Sequence, residues 1–221
     1  MTAIWDPGVP SRARYTGIAI LLHWTIAVLI LFNIITGFLH DALPRSTMAI
    51  HISSGITVLV LTLVRIGWRL THGPPPFLPM KPWERVVAHV VHFCLYAAML
   101  LMPISGWAMI SANPPVGSPG AAYAESLRNP GAMPTAPRPA AARRMVWGVI
   151  PLPLLKPLQD MGRTPEGVPV QREKHEQIEQ FHGTGGLILV LLLLLHVGGA
   201  LKHQLLDREA ELARMGLGRR R

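Results

Sequence analysis

The stretch FHGTGGLILVLLLLLHVGGALKH, residues 181–203, decides the fold of this chain. Residues 180–201 carry no charged side chain, and such a run is long enough for one helix to cross a bilayer. His182 and His196 interrupt this run 14 positions apart, which places both rings on nearly one helix face and separates them by roughly 21 Å. Ionisable side chains at two depths of a membrane helix need partners. We therefore expect this helix to hold two similar groups, one near each membrane face.

The rest of the chain repeats this alternation of long apolar segments and short clusters of charge. Of its 221 residues, 50% are hydrophobic and only 15% are charged, which is unusual for a soluble domain of this size. Four segments are long and apolar enough to span a bilayer. The prediction is an all-α membrane protein, a single membrane domain over residues 1–221 built as a four-transmembrane-helix bundle. The helices are expected at about 16–39, 47–70, 86–111 and 178–203.

The predicted connections differ greatly in length. Residues 113–177 form a long outer, periplasmic loop, and residues 204–221 form a basic cytoplasmic tail. Prolines are so frequent in the first part of the loop, to about residue 142, that no regular structure is expected there. Residues 145–158 are apolar but too short and too rich in proline to span a bilayer. We expect this segment in the outer interface or across the mouth of the bundle.

The distribution of lysine and arginine predicts the orientation of the bundle. The short segments before the first helix, between the second and third, and after the fourth are rich in these residues, whereas residues 40–46 contain only Arg45. Positive charge marks the cytoplasmic side, so both termini are expected there. Basic ends that face anionic lipid explain the net charge of +9, and no nucleic-acid partner is predicted. Cys94 is the only cysteine, which excludes a disulfide within the chain.

Two further histidines lie at depths that match those of His182 and His196. His23 lies about 10 Å from the cytoplasmic side of the first helix, at the same height as His196. His51 lies three or four residues from the outer start of the second helix, at the height of His182. Two imidazoles that face each other across a helical bundle suit the two axial positions of a haem iron. The sequence therefore predicts two haem sites, His23 with His196 and His51 with His182.

Cations near the predicted sites would pair with haem propionates. Arg65 follows His51 by 14 residues, at the cytoplasmic end of the same helix face, and an arginine in a membrane needs an anionic partner. Arg69 and His203 lie in the same zone, as does Lys202. Candidates at the outer site are His40, Arg45, Arg172 and Lys174. Small residues beside the histidines would leave room for a flat macrocycle, namely Gly55, Gly183, Gly185, Gly186, Gly198, Gly199 and Ala200.

Other roles for the histidines stay open at this point. Zinc or copper also binds imidazole, but ligands one helical turn apart are more usual at such sites. His89 and His92 have that spacing, and His92 also lies near the height of His196. His92 could compete for the cytoplasmic iron, bond a propionate or serve in quinone protonation, and we favour a supporting role beside the haem. His72 and His175 are assigned to loops, with ordinary solvated roles.

Several stretches of the sequence closely resemble one protein family, the bacterial cytochrome b561 family of di-haem membrane cytochromes. This family also groups with the cytochrome b subunits of nickel hydrogenases. The matching pieces cover all four predicted helices, and their combination is specific although each piece alone would be weak. They are RYTGIAILLHW (14–24), IHISSGITVLVLTLVRIGWRL (50–70), HVVHFCLYAAMLLMPISGW (89–107), FHGTGG (181–186) and LHVGGALKHQL (195–205).

The resemblance implies a multi-pass protein of the bacterial cytoplasmic membrane that binds two haem b groups and transfers electrons. The ligand positions of the family fall on His23, His51, His182 and His196, whereas His92 matches a family histidine that is not usually a ligand. Some relatives are similar to superoxide:quinone oxidoreductases, which implies superoxide as donor and a quinone such as ubiquinone as acceptor. Others resemble membrane anchors that pass electrons to a separate, periplasmic redox partner. A non-redox haem or metal carrier is a less favoured alternative.

Overall fold

The computed structural model describes residues 14–76, 80–130, 145–209 and 211–217. Seven α-helices, one short 3-10 helix (Pro165–Gly167) and one small hairpin make up its regular structure in this part of the chain. The helices are α1 (Gly17–Phe38), α2 (Ser46–Thr71), α3 (Pro82–Ser111), α4 (Pro119–Arg128), α5 (Lys156–Asp160), α6 (Val168–Leu205) and α7 (Glu211–Arg214), and the strands are β1 (Met145–Val146) and β2 (Ile150–Pro151).

Within the described ranges, four helices are long and apolar enough to cross a membrane, namely α1, α2, α3 and α6 with the short turn before it. This confirms the predicted class, an all-α membrane protein. Helix α1 packs against α2, α2 against α3, and α3 against α6. The centre of the bundle is a cluster of aliphatic side chains from all four helices, formed by Ile26, Ile30, Val58, Val91, Leu95 and Leu189.

The chain path gives the bundle two distinct ends. The loop end holds residues 39–45, 112–130 and 145–167. The terminal end holds the start of α1, the end of α2, the start of α3 and the end of α6. At the terminal end α7 folds back on the bundle, because Trp24 Nε1 donates to the Met215 carbonyl over 2.9 Å and Leu212 N donates to Gln204 Oε1 over 3.1 Å. Residue 210 and residues 218–221 of the predicted tail lie outside the described residues.

The segment that was expected to lack regular structure contains a helix, so that expectation was wrong. Helix α4 begins at Pro119, and Ser118 Oγ accepts a hydrogen bond from Ala121 N over 3.1 Å. Proline at the first position of a helix costs nothing, because its missing N–H would have had no partner there. The composition of the segment was therefore misleading, since this proline starts a helix instead of breaking one. Residues 131–144 of the predicted loop lie outside the described residues.

Helix α6 begins at Val168, ten residues before the predicted start at about 178. Its first turns are polar, so hydropathy does not detect them, but they have their own stabilising contacts. Gln171 is buried and donates to the Leu158 carbonyl over 2.7 Å, and Arg172 pairs with Glu176 one turn later. His175 therefore lies in a helix and not in a loop, with Nδ1 3.2 Å from the Ala112 carbonyl oxygen.

Candidate functional site

The four histidines that the sequence singles out meet in the two predicted pairs. The ring centroids of His23 and His196 are 6.1 Å apart, and those of His51 and His182 are 6.4 Å apart. Helix α6 contributes one ring to each pair, while α1 and α2 contribute the others. The two pairs lie at different depths, the first toward the terminal end and the second toward the loop end.

These separations suit a metal ion shared by two imidazoles. An imidazole that binds iron through Nε2 at about 2 Å has its ring centroid about 3 Å from the metal, so two opposite ligands have centroids about 6 Å apart. Both pairs match this value. Packing alone could also bring two histidine rings together. Two such pairs, at two depths of one helix, are the arrangement that would hold two haem groups inside a helical bundle.

Hydroxyl groups fix the protonation of the pair at the loop end. His51 Nδ1 lies 2.9 Å from Thr36 Oγ1, and that hydroxyl donates its hydrogen to the Phe32 carbonyl over 2.8 Å. A hydroxyl that donates to this carbonyl accepts from Nδ1–H of His51. His182 Nδ1 stands in the same relation to Ser105 Oγ at 2.9 Å, and Ser105 donates to the Met102 carbonyl. When Nδ1–H of each ring donates to its hydroxyl, Nε2 carries no proton and can bind a metal.

Thr36→Val should weaken haem binding at the loop end, because it removes the acceptor that orients His51. Loss of such an outer partner typically lowers metal affinity about 10- to 100-fold. Haem titration of the purified variant measures this effect, with Thr25→Val, at an exposed threonine of the same helix, as the matched control. Equal affinity in the two variants would show that the hydroxyl has no part in the site.

Glycines allow the loop-end rings to lie against neighbouring helices. A Cβ at Gly37 would come within 3.4 Å of His51 Cε1, and one at Gly106 within 3.3 Å of His182 Cε1. Gly185 also lies close to α3. A Cβ there would come within 2.6 Å of Met102 Sδ, so its small size serves the packing of α6 on α3.

His92 lies beside the terminal-end pair. Its ring centroid is 5.1 Å from that of His196, and its Nδ1 is 2.7 Å from the Ala88 carbonyl oxygen. Two imidazoles on opposite sides of one iron need about 6 Å between centroids, so this separation is too short for His92 and His196 to be opposite ligands. A supporting position beside the site fits better, as the sequence suggested.

Arginines gather at the terminal end, where a cavity of about 190 Å³ opens between α1, α2 and α3. Arg65 and Arg69, both predicted as propionate partners, line this cavity together with Arg14. Arg65 Nε donates to Tyr96 Oη over 3.0 Å, which fixes the guanidinium. Three guanidinium groups around one cavity suit an anion such as a carboxylate. Arg14 was not predicted as a member of this site, because a residue that precedes the first helix has no position along a helix from which its depth follows.

His203 is engaged elsewhere at the terminal end. Its Nδ1 lies 2.7 Å from Asp207 Oδ2, and Lys202 Nζ bridges the carboxylates of Asp207 and Glu84. The hydrogen bond from Lys202, and then that from His203, hold the pKa of Asp207 below its usual value. His203 is not among the residues that line the arginine cavity in the described part of the chain. The structure therefore groups it with the ion pairs that tie α6 to α3.

A bundle of four membrane-spanning helices with paired histidines between them is typical of one class of proteins, the membrane-embedded b-type cytochromes. Comparison with known proteins agrees with that class. A family model described as prokaryotic cytochrome b561 matches residues 14–218. The chain belongs to this family, and is thus a multi-pass bacterial membrane protein of the kind that binds b-type haem.

Three curated relatives are similar to parts of the chain. The probable superoxide oxidase CybB of Yersinia pestis is 34% identical over 103 residues, 44% of this chain and 58% of the relative. Cytochrome b562 of Cereibacter sphaeroides is 39% identical over 102 residues, 42% of this chain and 63% of the relative. Cytochrome b561 homolog 2 of Escherichia coli is 28% identical over 107 residues, 45% of this chain and 57% of the relative. The matched region thus spans about three fifths of each relative.

Proposed function

We propose that this chain is a di-haem cytochrome b that carries electrons between the two faces of the bacterial cytoplasmic membrane. One haem would lie between His51 and His182, and the other between His23 and His196. The observation that carries the proposal is the pair of ring separations, 6.1 Å and 6.4 Å, at two depths of α6. Bound haem would supply one-electron exchange at iron. Lysine and arginine in the short segments support a cytoplasmic position for the terminal end.

The protein groups of the site define what such a haem can do. With one histidine pair holding each haem, the bound group would supply electron transfer and would not bind oxygen. Thr36 and Ser105 hold the loop-end imidazoles in place. The arginine cavity would hold the propionates of the terminal-end haem, because Arg14, Arg65 and Arg69 offer paired donors to carboxylates.

The specific activity that we propose is superoxide:quinone oxidoreduction, with ubiquinone as the acceptor. One relative bears the name probable superoxide oxidase. A pocket at the loop end lies beside one histidine pair, because Thr36, the partner of His51, lines it together with His40, Asp41 and Arg45. Arg45 is the cation of this lining that a small anionic donor would meet.

Quinone reduction by the purified, haem-loaded chain in vesicles tests this activity. Superoxide supplied to vesicles that contain ubiquinone should be consumed as quinol forms. Arg45→Ala should slow the reaction, and the loss should shrink as the salt concentration rises. Absence of quinol formation by a chain with full haem content would refute the activity while leaving the haem sites untouched.

An electron-transfer subunit for a periplasmic redox protein is the second candidate. The folded segment at the loop end favours it, because α4, β1, β2 and α5 present a built surface where a partner could bind. This candidate predicts that a redox protein co-purifies with the chain and reduces its haem. Rapid quinone reduction by the chain alone, with superoxide as the donor, would contradict it.

Arg65→Leu should lower the reduction potential of the terminal-end haem. A guanidinium near the site stabilises the reduced form, and its loss should shift the potential downward by about 40–60 mV, a tenfold change in a one-electron equilibrium being 59 mV. Redox titration of the purified variant measures the shift for each haem. Arg85→Leu, outside the cavity, is the control. A shift confined to the loop-end haem would contradict the assignment.

A further inference from the structure

A small hairpin lies against α2 at the loop end of the bundle. Strands β1 and β2 pair through Met145 with Pro151 and Val146 with Ile150. The turn between them has positive φ at both central residues, 54° at Trp147 and 71° at Gly148, as in a type I′ turn. A bulky residue with positive φ is an outlier, so the surroundings must hold Trp147 in place.

Two hydroxyl groups of α2 hold this tryptophan. Trp147 N donates to Ser53 Oγ over 2.9 Å, and Trp147 Nε1 donates to Thr57 Oγ1 over 3.0 Å. Ser53 and Thr57 donate their own hydroxyl hydrogens to carbonyls one turn back in α2, at Ala49 and at Ser53. Their oxygen atoms are thus acceptors for the tryptophan, and both of its N–H groups are satisfied by protein.

The position of these hydroxyls along α2 sets the depth of the turn. Ser53 and Thr57 lie about 10 and 16 Å from the start of α2. With 26 residues, α2 is about 39 Å long, and the hydrocarbon core is about 30 Å thick. The helix is thus about 9 Å longer than the core is thick. Even if all of this extra length extended out of the core at the loop end, both hydroxyls would still lie within the hydrocarbon core.

The outward side of the hairpin is apolar. Val149 is 74% exposed, Ile150 is 61% exposed, and Trp147 is 51% exposed, whereas Val146 is buried against the bundle. Irregular backbone at membrane depth is tolerated where protein satisfies its polar groups, and in this turn Trp147 N donates to Ser53 Oγ while Val149 N donates to the Val146 carbonyl over 3.1 Å. We propose that this hairpin is inserted into the hydrocarbon region of the leaflet at the loop end, with lipid acyl chains as its partner.

The test uses single-cysteine variants of the full chain in a Cys94→Ala background, reconstituted with haem in phosphatidylcholine vesicles. Ile150→Cys is compared with Leu127→Cys on α4, which is also exposed. With a nitroxide label, position 150 should be more accessible to oxygen than to a water-soluble nickel chelate, and position 127 the reverse. A water-soluble maleimide should react at least about tenfold more slowly at position 150, because an apolar environment disfavours the thiolate.

Two results of the labelling experiment would overturn the insertion. Equal access of the nickel chelate to positions 150 and 127 would place the hairpin in water. Exclusion of both oxygen and nickel from position 150 would mean that protein, such as a second copy of the chain, covers it. A second measurement needs no cysteine. The contribution of Trp147 to the fluorescence is the difference between the unchanged chain and Trp147→Phe, and brominated lipids should quench it. If they leave this contribution unquenched, the insertion is contradicted. The activity and the number of haems do not enter either readout.

Discussion

His196→Ala is expected to reduce the haem content of the purified chain from two per polypeptide to one. Its ring is 6.1 Å from that of His23, and loss of one imidazole leaves the terminal-end iron with a single strong ligand. His182, which forms the other pair with His51, lies about 21 Å from His196 along α6, so the loop-end haem should remain. Haem quantitation against protein concentration, with reduced-minus-oxidised spectra, measures the loss.

His92→Ala is the matched control for this variant. His92 lies 5.1 Å from His196, within the same group of rings, but at a separation too short for an opposite ligand. Its removal should leave two haems in place and shift only the spectrum or potential of the terminal-end haem. Two haems in His196→Ala, or loss of one in His92→Ala, would show that the ligand assignment at this end is wrong.

Gly106→Val is expected to displace the haem at the opposite end. A Cβ at this position would already lie 3.3 Å from His182 Cε1, and the two methyl groups of valine extend further toward the ring. The imidazole would have to leave both its hydrogen bond to Ser105 and its alignment with His51. Overpacking of this kind costs about 1–3 kcal/mol, so the folded fraction must be measured together with the haem content.

Gly67→Val separates this local clash from the general effect of valine in a helix. Gly67 lies within α2, and a Cβ there meets no other atom within 4 Å. Gly67→Val should retain both haems, whereas Gly106→Val should retain only the terminal-end haem. Equal haem content in the two variants would mean that His182 does not depend on the close approach of α3.

The membrane-spanning helices could be predicted because they rest on properties that are local in sequence. Long intervals without charge mark α1 and α2, and the 14-residue spacing of His182 and His196 fixes their relative height. The pairing with His23 and His51 follows from depth, since every helix must cross the same bilayer. Neither step requires knowledge of how the helices pack.

The contacts that support the histidines could not be predicted, because they depend on how the helices rotate about their axes. Thr36 and Ser105 look like ordinary helix residues until α1 faces α2 and α3 faces α6. The polar start of α6 escaped a hydropathy argument since Gln171 is buried against protein and not lipid. The hairpin at Trp147 escaped as well, because its acceptors, Ser53 and Thr57, are 90 or more residues away in sequence.

The haem-to-protein ratio of the purified chain, measured together with its reduced-minus-oxidised spectrum, tests the central claim most directly. We predict two haem b groups per polypeptide, both with the sharp low-spin bands of iron held by two imidazoles. A single haem would contradict the two-site structure. A loosely bound, high-spin haem would contradict ligation by the histidine pairs and would favour a carrier of haem or metal over an electron-transfer protein.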